Sequence, residues 1–558
     1  MWRLLLAIAL IVLSGCGFAT PTAPSPVAPT ATLTPLPPTP APTATPTSTP
    51  PAPEPEVARV YSFPERLYPG DWVSFSVEPL LPELLETQMQ VRIDLPDGEV
   101  LEANALPQSL DWVSRARFYW AWNTGELVGA HWMTVTLSLP DSTVGQRQLV
   151  LPLTIAPPEE ALPPELEARW AVTYTDGFNL HYLTHSAAER DLAYLVGEAQ
   201  SAYEQVTLML GHTDIEPVDI YLMDRVIGQG GYASSAWVAA SYTERLYPPV
   251  GMERLFRHEL THRLDSGLGC DGTPALVREG LAVYVAGGHY WAESLPLKMS
   301  ALLQTERYIP LERLAQNFYT HQHEISYLEA GALVAYVVET AGWEGVARLC
   351  TGARGEGDDG ERLAEGLRAA LDIESLSAFE TVWLRWLRAL QPAAAAVTRL
   401  QLEWRLMETL RDYQARRDPA AHFLEGILFD PAQAAQRGIT ADFVRRPRDA
   451  EAIALELLLL AARQALEAGR LERSAALLDA LEAVLLSGFP TEGEAAEVLD
   501  VVAATLVQGY EPYHLSYDAA RAGYRIAAVD YARWPTQVWL FAAREGGAWR
   551  ISGPQMEE

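Results

Sequence analysis

Hydrophobic and polar residues alternate in short runs between residues 57 and 157. The alternation is clearest at residues 72–77 and 132–137, and turn residues such as those at 96–98 separate the runs. A repeat of two residues turns one face of a strand toward a core and the other toward solvent. Residues 57–157 are therefore predicted to form a small, immunoglobulin-like β-sandwich with a spacing or binding role.

Strand-like and helix-like patterns are mixed between residues 165 and 395. Strands are predicted at residues 178–182, 218–222 and 232–242. Helices are predicted to end near Gly211, to span residues 252–262, and to run from Pro274 to about Gly287. Pro at the start of a helix and Gly at its end are the usual boundary signals. This segment is predicted to be one α+β domain.

Residues 396–558 change character again. The first part is rich in Ala and Leu, with a helical hairpin predicted over residues 451–486. Strand-like runs follow at 524–529, 537–541 and 548–551. We predict a mostly helical region that ends in a small β-sheet and faintly resembles an NTF2-like unit. The whole chain is thus predicted to be a multidomain protein with an N-terminal β-sandwich, an α+β domain and a helical C-terminal region.

Composition narrows the range of functions. The chain has 558 residues, which exceeds one compact domain, and 72 acidic against 41 basic residues give a net charge of −31. Such a charge repels a phosphate backbone, so no nucleic-acid partner is expected. Lys298 is the only lysine, which leaves little room for Schiff-base chemistry or a phosphate-binding lysine loop.

The N-terminus indicates export. Arg3 precedes an apolar run at residues 4–13, which is too short to span a bilayer. The run ends in Leu-Ser-Gly before Cys16, which resembles the lipobox of bacterial lipoproteins. That resemblance implies a signal peptide over residues 1–16 and acylation of Cys16, which would anchor the chain at the cell surface, outside the cytoplasm. An ordinary secretory signal is the alternative. Residues 17–56 are rich in Pro and Thr and are predicted to be a disordered stalk.

The stretch His258-Glu259-Leu260-Thr261-His262 carries candidate chemistry. On a helix, His258 and His262 project from one face and can share a metal ion. Glu259 lies beside the first histidine, where it can take a proton from a metal-activated water. The alternative is a pair of solvent-facing histidines on a surface helix.

The next predicted helix supplies a third candidate ligand. Its Glu279 follows His262 by 17 positions. Two imidazoles and one carboxylate leave the fourth tetrahedral position of a zinc ion free for water, which is the arrangement of a catalytic site. His258, His262 and Glu279 are therefore the predicted zinc ligands.

Together, His-Glu-Leu-Thr-His and the Arg-Glu-Gly-Leu-Ala around Glu279 resemble the gluzincin metallopeptidases, the peptidase MA-like group that includes thermolysin and aminopeptidase N-type enzymes. The resemblance covers residues 165–395. It implies a zinc cofactor, peptide-bond hydrolysis and Glu259 as the general base. It also implies a transition-state tyrosine at Tyr327, although Tyr327 and Gly331 are one residue further apart than in the group's Tyr-x-x-Gly. A core tyrosine is the alternative.

Substrate preference is inferred from a missing motif. Aminopeptidase N-type enzymes carry a Gly-x-Met-Glu-Asn strand whose glutamate holds the substrate's amino group. The one partial match here is Gly251-Met252-Glu253-Arg254, which lies on the helix predicted to carry His258 and not on a strand. Internal cleavage of a peptide or protein substrate is therefore favoured over aminopeptidase activity. The competing hypothesis is a cell-surface binding protein that uses this scaffold without turnover. The sequence leaves the natural substrate and oligomeric state open.

The sequence also contains a cysteine pair, two further histidines and an arginine-rich segment. Cys270 and Cys350 can pair in an oxidising compartment, but sequence does not show their proximity. His321 and His323 precede Tyr327 in a predicted loop and are interpreted as solvated, or one of them as a second oxyanion donor. Residues 445–448 read Arg-Arg-Pro-Arg and are predicted to be an exposed linker.

Overall fold

A computed structural model describes residues 58–62, 66–80, 89–105, 107–110, 113–116, 118–138, 146–211, 216–226, 230–234, 236–249, 251–292, 294–418 and 430–555. The predicted signal peptide, Cys16 and the stalk lie outside these residues. Glu56–Glu558 form one compact unit. Within the described ranges, no helix is both long and apolar enough to cross a membrane.

The N-terminal part is built from antiparallel strands, as its alternating pattern predicts. The strands are β1 (Ala58–Ser62), β2 (Trp72–Pro79), β3 (Met89–Asp94), β4 (Val100–Ala105), β5 (Pro107–Leu110), β6 (Val113–Ala116), β7 (Phe118–Asn123), β8 (Gly129–Ser138) and β9 (Gln146–Ile155). They form sheets of order β1-β2-β7 and β4-β3-β8-β9 and a β5-β6 hairpin. Phe75 and Trp120 of the first sheet share one hydrophobic core with Ile93 and Val135 of the second.

A second sheet region follows, with strands β10 (Trp170–Tyr174), β11 (Phe178–Leu183), β12 (Val218–Met223), β13 (Gly231–Ala233) and β14 (Trp237–Ser241). Its order is β10-β11-β12-β14-β13. Strands β11, β12 and β14 are parallel, whereas β10 and β13 run antiparallel to their neighbours. The single strand predicted over residues 232–242 is therefore a hairpin of two strands, and its short arm β13 forms an edge of the sheet.

Helices surround this sheet. They are α1 (Pro163–Glu167), α2 (Ala187–Arg190), α3 (Leu192–Leu210), α4 (Met252–Leu264), α5 (Ala275–Ala286), α6 (Leu295–Leu302), α7 (Leu311–Gln316), α8 (His323–Gly352), α9 (Asp359–Leu371) and α10 (Leu376–Ala389). Helix α4 buries Met252, Phe256, Leu260 and Leu264, which are four apart and share one face. This face packs in the core with α3, α5 and α8, and this packing fixes the rotation of α4 about its axis. The side chains on its other faces therefore have fixed orientations.

A disulfide joins Cys270 and Cys350, which answers the question that the sequence left open. Cys270 follows α4, and Cys350 lies near the end of α8; both are fully buried. The bond closes a chain segment with a sequence separation of 80 residues. Closing so long a loop restricts the unfolded chain and so stabilises the connection between these two helices.

The C-terminal region is helical and then forms a sheet, as predicted. It contains α11 (Ala394–Arg417), α12 (Pro431–Arg437), α13 (Ala441–Val444), α14 (Ala450–Glu467), α15 (Leu471–Ser487) and α16 (Glu494–Leu506), followed by β15 (Tyr510–Asp518), β16 (Gly523–Asp530), β17 (Gln537–Glu545) and β18 (Ala548–Gln555). The predicted hairpin is α14 and α15, which turn at Gly469 with a φ of 72°. The sheet has the order β15-β16-β17-β18, and its first strand is absent from the predicted set.

The prediction that residues 445–448 form an exposed linker is wrong. The segment buries an arginine cluster, which consists of Arg445, Arg446 and Arg448. Its partners come from three parts of the chain: Asp71 in the N-terminal region, Asp224 after β12, and Glu511 on β15. Buried guanidinium groups need such partners because an unpaired charge is costly to desolvate. The segment is an ionic junction between the regions.

Candidate metal centre

Helix α4 brings His258 and His262 together. The two residues are one helical turn apart, and their Nε2 atoms are 3.2 Å from each other. Their rings meet at 82°, with centroids 4.8 Å apart. Both nitrogens therefore point to one region of space beside the helix.

Helix α5 adds Glu279 to this pair. Its Oε2 atom lies 3.1 Å from Nε2 of His258 and 3.4 Å from Nε2 of His262. Tetrahedral coordination with bonds of about 2.0–2.2 Å separates neighbouring donor atoms by roughly 3.3 Å. Since the three donors already have this spacing, and since nitrogen and carboxylate oxygen are donors that zinc accepts, the residues fit a zinc ion. In the described part of the chain, this is the one such His, Cys, Asp and Glu group that can hold a metal.

Two glycines allow α5 and α8 to pack closely enough for this geometry. A Cβ atom on Gly280 would lie 2.5 Å from the carbonyl oxygen of Ala330, and one on Gly331 would lie 2.6 Å from Cγ1 of Val283. Because side chains at either position would push the helices apart, Gly280 beside Glu279 has a packing role. Gly331 serves the same contact from α8.

Tyr319 holds the second oxygen of the Glu279 carboxylate. Its hydroxyl donates a hydrogen bond of 2.7 Å to Oε1, while Oε2 faces the imidazoles. The residue lies in a short 3-10 turn between α7 and α8. No spacing rule connects Tyr319 to the metal helix, so sequence reasoning missed it. A partner of this kind fixes the orientation of a metal-binding carboxylate.

Burial and neighbouring charges give the two glutamates of the site different pKa values. Burial raises the pKa of Glu259 to about 7, and the charge of Glu279 adds to that effect. Burial also acts to raise the pKa of Glu279, but His262 and His258 outweigh it and hold the pKa well below the usual range. Glu279 is therefore the anionic candidate ligand. Glu259 is a carboxyl that can accept and return a proton near neutral pH.

Tyr327 lies near the histidines but in the core. Only 9% of the residue is exposed, and its ring centroid is 6.1 Å from that of His258. The ring stacks on His289 at 4.2 Å with an interplanar angle of 9°. Burial raises its pKa well above the usual value, so the hydroxyl stays protonated and remains a hydrogen-bond donor. Its role in catalysis stays a prediction.

His323 differs from the expected solvated loop residue. It is the first residue of α8, and its ring centroid lies 5.4 Å from that of Tyr327. Burial lowers the pKa of His323 to about 4, so its imidazole is neutral at physiological pH. His289 was not singled out from the sequence, because a histidine after a helix carries no pattern. Its pKa is also lowered by burial.

A cleft of about 290 Å³ opens onto the glutamates and His262. One wall is formed by the β13–β14 hairpin, including Ala233, Ser234 and Trp237. Glu259, His262 and Glu279 also line the cleft. The cleft therefore lies between this hairpin and the candidate ligands.

Comparison with known protein families and with curated proteins gives no match for this chain. The functional argument therefore depends on the chemistry of the site. Its four central residues, His258, Glu259, His262 and Glu279, are those that the sequence predicted. The structure adds Tyr319, His289 and the shape of the cleft.

Proposed function

We propose that the chain is an exported, membrane-anchored zinc metallopeptidase that hydrolyses internal peptide bonds. The observation that carries the proposal is the triangle of donor atoms from His258, His262 and Glu279, with the buried carboxyl of Glu259 beside it. Three protein ligands with an adjacent general base are typical of a catalytic zinc site. A purely structural zinc site is normally closed by a fourth protein ligand.

The arrangement of elements supports a gluzincin-like, zincin-type fold for residues 165–395. Helix α4 carries the two histidines and the base, and α5 carries the carboxylate ligand. Both helices share one hydrophobic core with a mixed sheet that has an antiparallel edge strand. This arrangement of elements supports the proposal independently of the motif, because the sheet and the second helix lie outside the His-Glu-x-x-His stretch.

The residues divide the chemistry among them. Zinc held by His258, His262 and Glu279 would polarise a water molecule and the substrate carbonyl. Glu259 accepts the proton that the water loses as it attacks, and it donates that proton to the leaving amine. Tyr319 keeps Glu279 oriented. Tyr327 is the proposed donor to the oxyanion that develops on the carbonyl.

The cleft supports binding of an extended peptide. Strand β13 is an edge of the described sheet, where its one strand partner is β14, and Ala233 at its end lines the cleft. A substrate segment that adds to this edge would gain main-chain hydrogen bonds at any internal position. Together with the missing amine-binding motif, this favours internal cleavage. Lipidated Cys16 and the stalk over residues 17–56 would hold the domain away from the membrane surface.

The proposal is tested by digesting a library of peptides that are blocked at both ends. We expect cleavage at internal bonds, loss of cleavage after treatment with a chelator, and recovery after one equivalent of zinc is added. Blocked peptides that stay intact under all three conditions, in a protein that binds zinc, would favour the surface binding protein instead.

Tyr319→Phe should weaken zinc binding without unfolding the protein. The variant removes only the hydroxyl that donates to Oε1 of Glu279. Loss of such a supporting contact typically lowers metal affinity by about 10- to 100-fold. Competition with a chromophoric chelator measures this change. Tyr308→Phe is the matched control, because the Tyr308 hydroxyl donates to Glu380 away from the ligands. Equal zinc affinity in wild type and Tyr319→Phe would show that the Tyr319 hydroxyl does not support zinc binding by Glu279.

A further inference from the structure

Two arginines line the cleft beside the candidate metal ligands. Arg263 directly follows His262 on α4, and Arg278 directly precedes Glu279 on α5. Neighbouring Cα atoms are about 3.8 Å apart, so each side chain is attached one residue from a ligand. Arg263 also lies four residues after Glu259, which places it on the same face of the helix as the proposed base.

The two guanidinium groups have different environments. Asp265 is buried, and its Oδ2 atom lies 3.2 Å from Nε of Arg278, whose side chain stays 40% exposed. Asp265 thus positions Arg278 while leaving much of it open. Arg263 is exposed and makes no ion pair or hydrogen bond with any residue that the structure describes. Asp265 therefore pairs with Arg278 and leaves Arg263 without a counter-charge among the described residues.

The charge of the cleft is unusual for this chain. Acidic residues outnumber basic residues by 72 to 41 in the sequence. Yet apart from Glu259 and Glu279, no acidic side chain lines the described part of the cleft. The hairpin residues that line it are neutral, for example Ala233, Ser234 and Trp237. Since Glu279 is the proposed zinc ligand and Glu259 the proposed base, the two arginines are left to pair with an acidic group on a bound peptide.

We propose that Arg263 and Arg278 form a carboxylate-binding subsite, which makes the enzyme prefer substrates with a carboxylate close to the cleaved bond. This inference rests on the proposed peptidase function. A guanidinium group binds a carboxylate through two parallel hydrogen bonds, and arginine remains charged at every physiological pH. The carboxylate can belong to an Asp or Glu side chain or to the substrate's C-terminus, since both present the same group.

The test compares pairs of fluorogenic peptides that differ by Glu or Gln at one position near the cleaved bond, each with a free or amidated C-terminus. For the zinc-loaded full chain, we expect kcat/KM to be about tenfold higher for the peptide with the carboxylate. Arg263→Gln should reduce this ratio to about two or less. High salt should also reduce the ratio, because the subsite is open to solvent. Arg385→Gln, an exposed arginine on α10, is the matched control and should keep the wild-type ratio.

The outcomes separate the two proposals. A preference that depends on the Glu side chain, or one that depends on the free C-terminus, supports the subsite and identifies the source of the carboxylate. Equal cleavage of all peptides by wild type, or a preference that survives in Arg263→Gln, overturns the subsite while the peptidase function stands. Fluorescence anisotropy of the same peptides on the Glu259→Gln background gives a readout without turnover. If Arg263→Gln removes tighter binding of the acidic peptide on this background, and the wild-type protein cleaves none of the peptides, the subsite is retained and the peptidase function is refuted.

Discussion

Replacing His258, His262 or Glu279 by Ala should each lower zinc affinity by at least about 100-fold, from one tightly bound ion per chain in wild type. Each change removes one of three donor atoms whose mutual distances are 3.1–3.4 Å. A ligand contributes more than its supporting contacts, whose loss already costs about 10- to 100-fold. Elemental analysis after dialysis gives the stoichiometry, and chelator competition gives the affinity.

His181→Ala is the control for the ligand variants. His181 lies in the same α+β region, and its Nε2 is 2.9 Å from Oδ1 of Asp219, so it is also a histidine paired with a carboxylate. It lies outside the donor triangle and should not change zinc content. If any one of the three ligand variants keeps wild-type affinity, that residue is not a ligand.

Glu511→Gln should destabilise the protein by about 3–5 kcal/mol, because it leaves buried cations without their shared counter-charge. Glu511 is fully buried. Its carboxylate pairs with Arg245 at 2.7 Å and with Arg446 at 2.9 Å, and it also contacts Arg448. Burial acts to raise its pKa, but the arginines outweigh burial and hold the pKa of Glu511 well below the usual range.

Calorimetry checks this expectation as a fall in Tm of roughly 5 °C at neutral pH. Glu545→Gln is the matched control on the same sheet, since Glu545 is exposed and pairs with Arg550; it should change stability by less than about 1 kcal/mol. A lowered folded-state pKa gives stability that is present above the unfolded pKa, about 4.3, and is lost as pH falls through the folded value. The difference in the free energy of unfolding between wild type and Glu511→Gln should therefore become smaller below about pH 4. A Tm equal to that of Glu545→Gln would contradict the proposed junction.

The local part of the site could be predicted from the sequence. The spacing of His258 and His262 and the boundaries of the helix that carries Glu279 are properties of a few neighbouring residues. Those signals placed the four central residues on the right elements. The N-terminal strands and the C-terminal hairpin were predicted for the same reason, since alternation and helical periodicity are local patterns.

Features that depend on long-range packing could not be predicted. Arg445 meets Asp71 across 374 positions, and Arg446 meets Asp224 across 222. The acidic partners are distant in sequence from the three arginines, so the local pattern alone indicates an exposed linker. Tyr319 reaches Glu279 only because α7 and α8 fold back over α5. The Cys270–Cys350 bond depends on the same folding.

The central claim is tested most directly by comparing wild type with Glu259→Gln on the blocked-peptide library at matched zinc occupancy. Glu259→Gln keeps the shape of the side chain and all three ligands but cannot accept a proton. We predict unchanged zinc content and at least about a 100-fold loss of rate, the contribution expected of a positioned general base. Glu253→Gln, a partly exposed position on the same helix that pairs with Arg257, should keep the wild-type rate. Equal product formation by wild type and Glu259→Gln would contradict the assignment of this site as the hydrolytic centre.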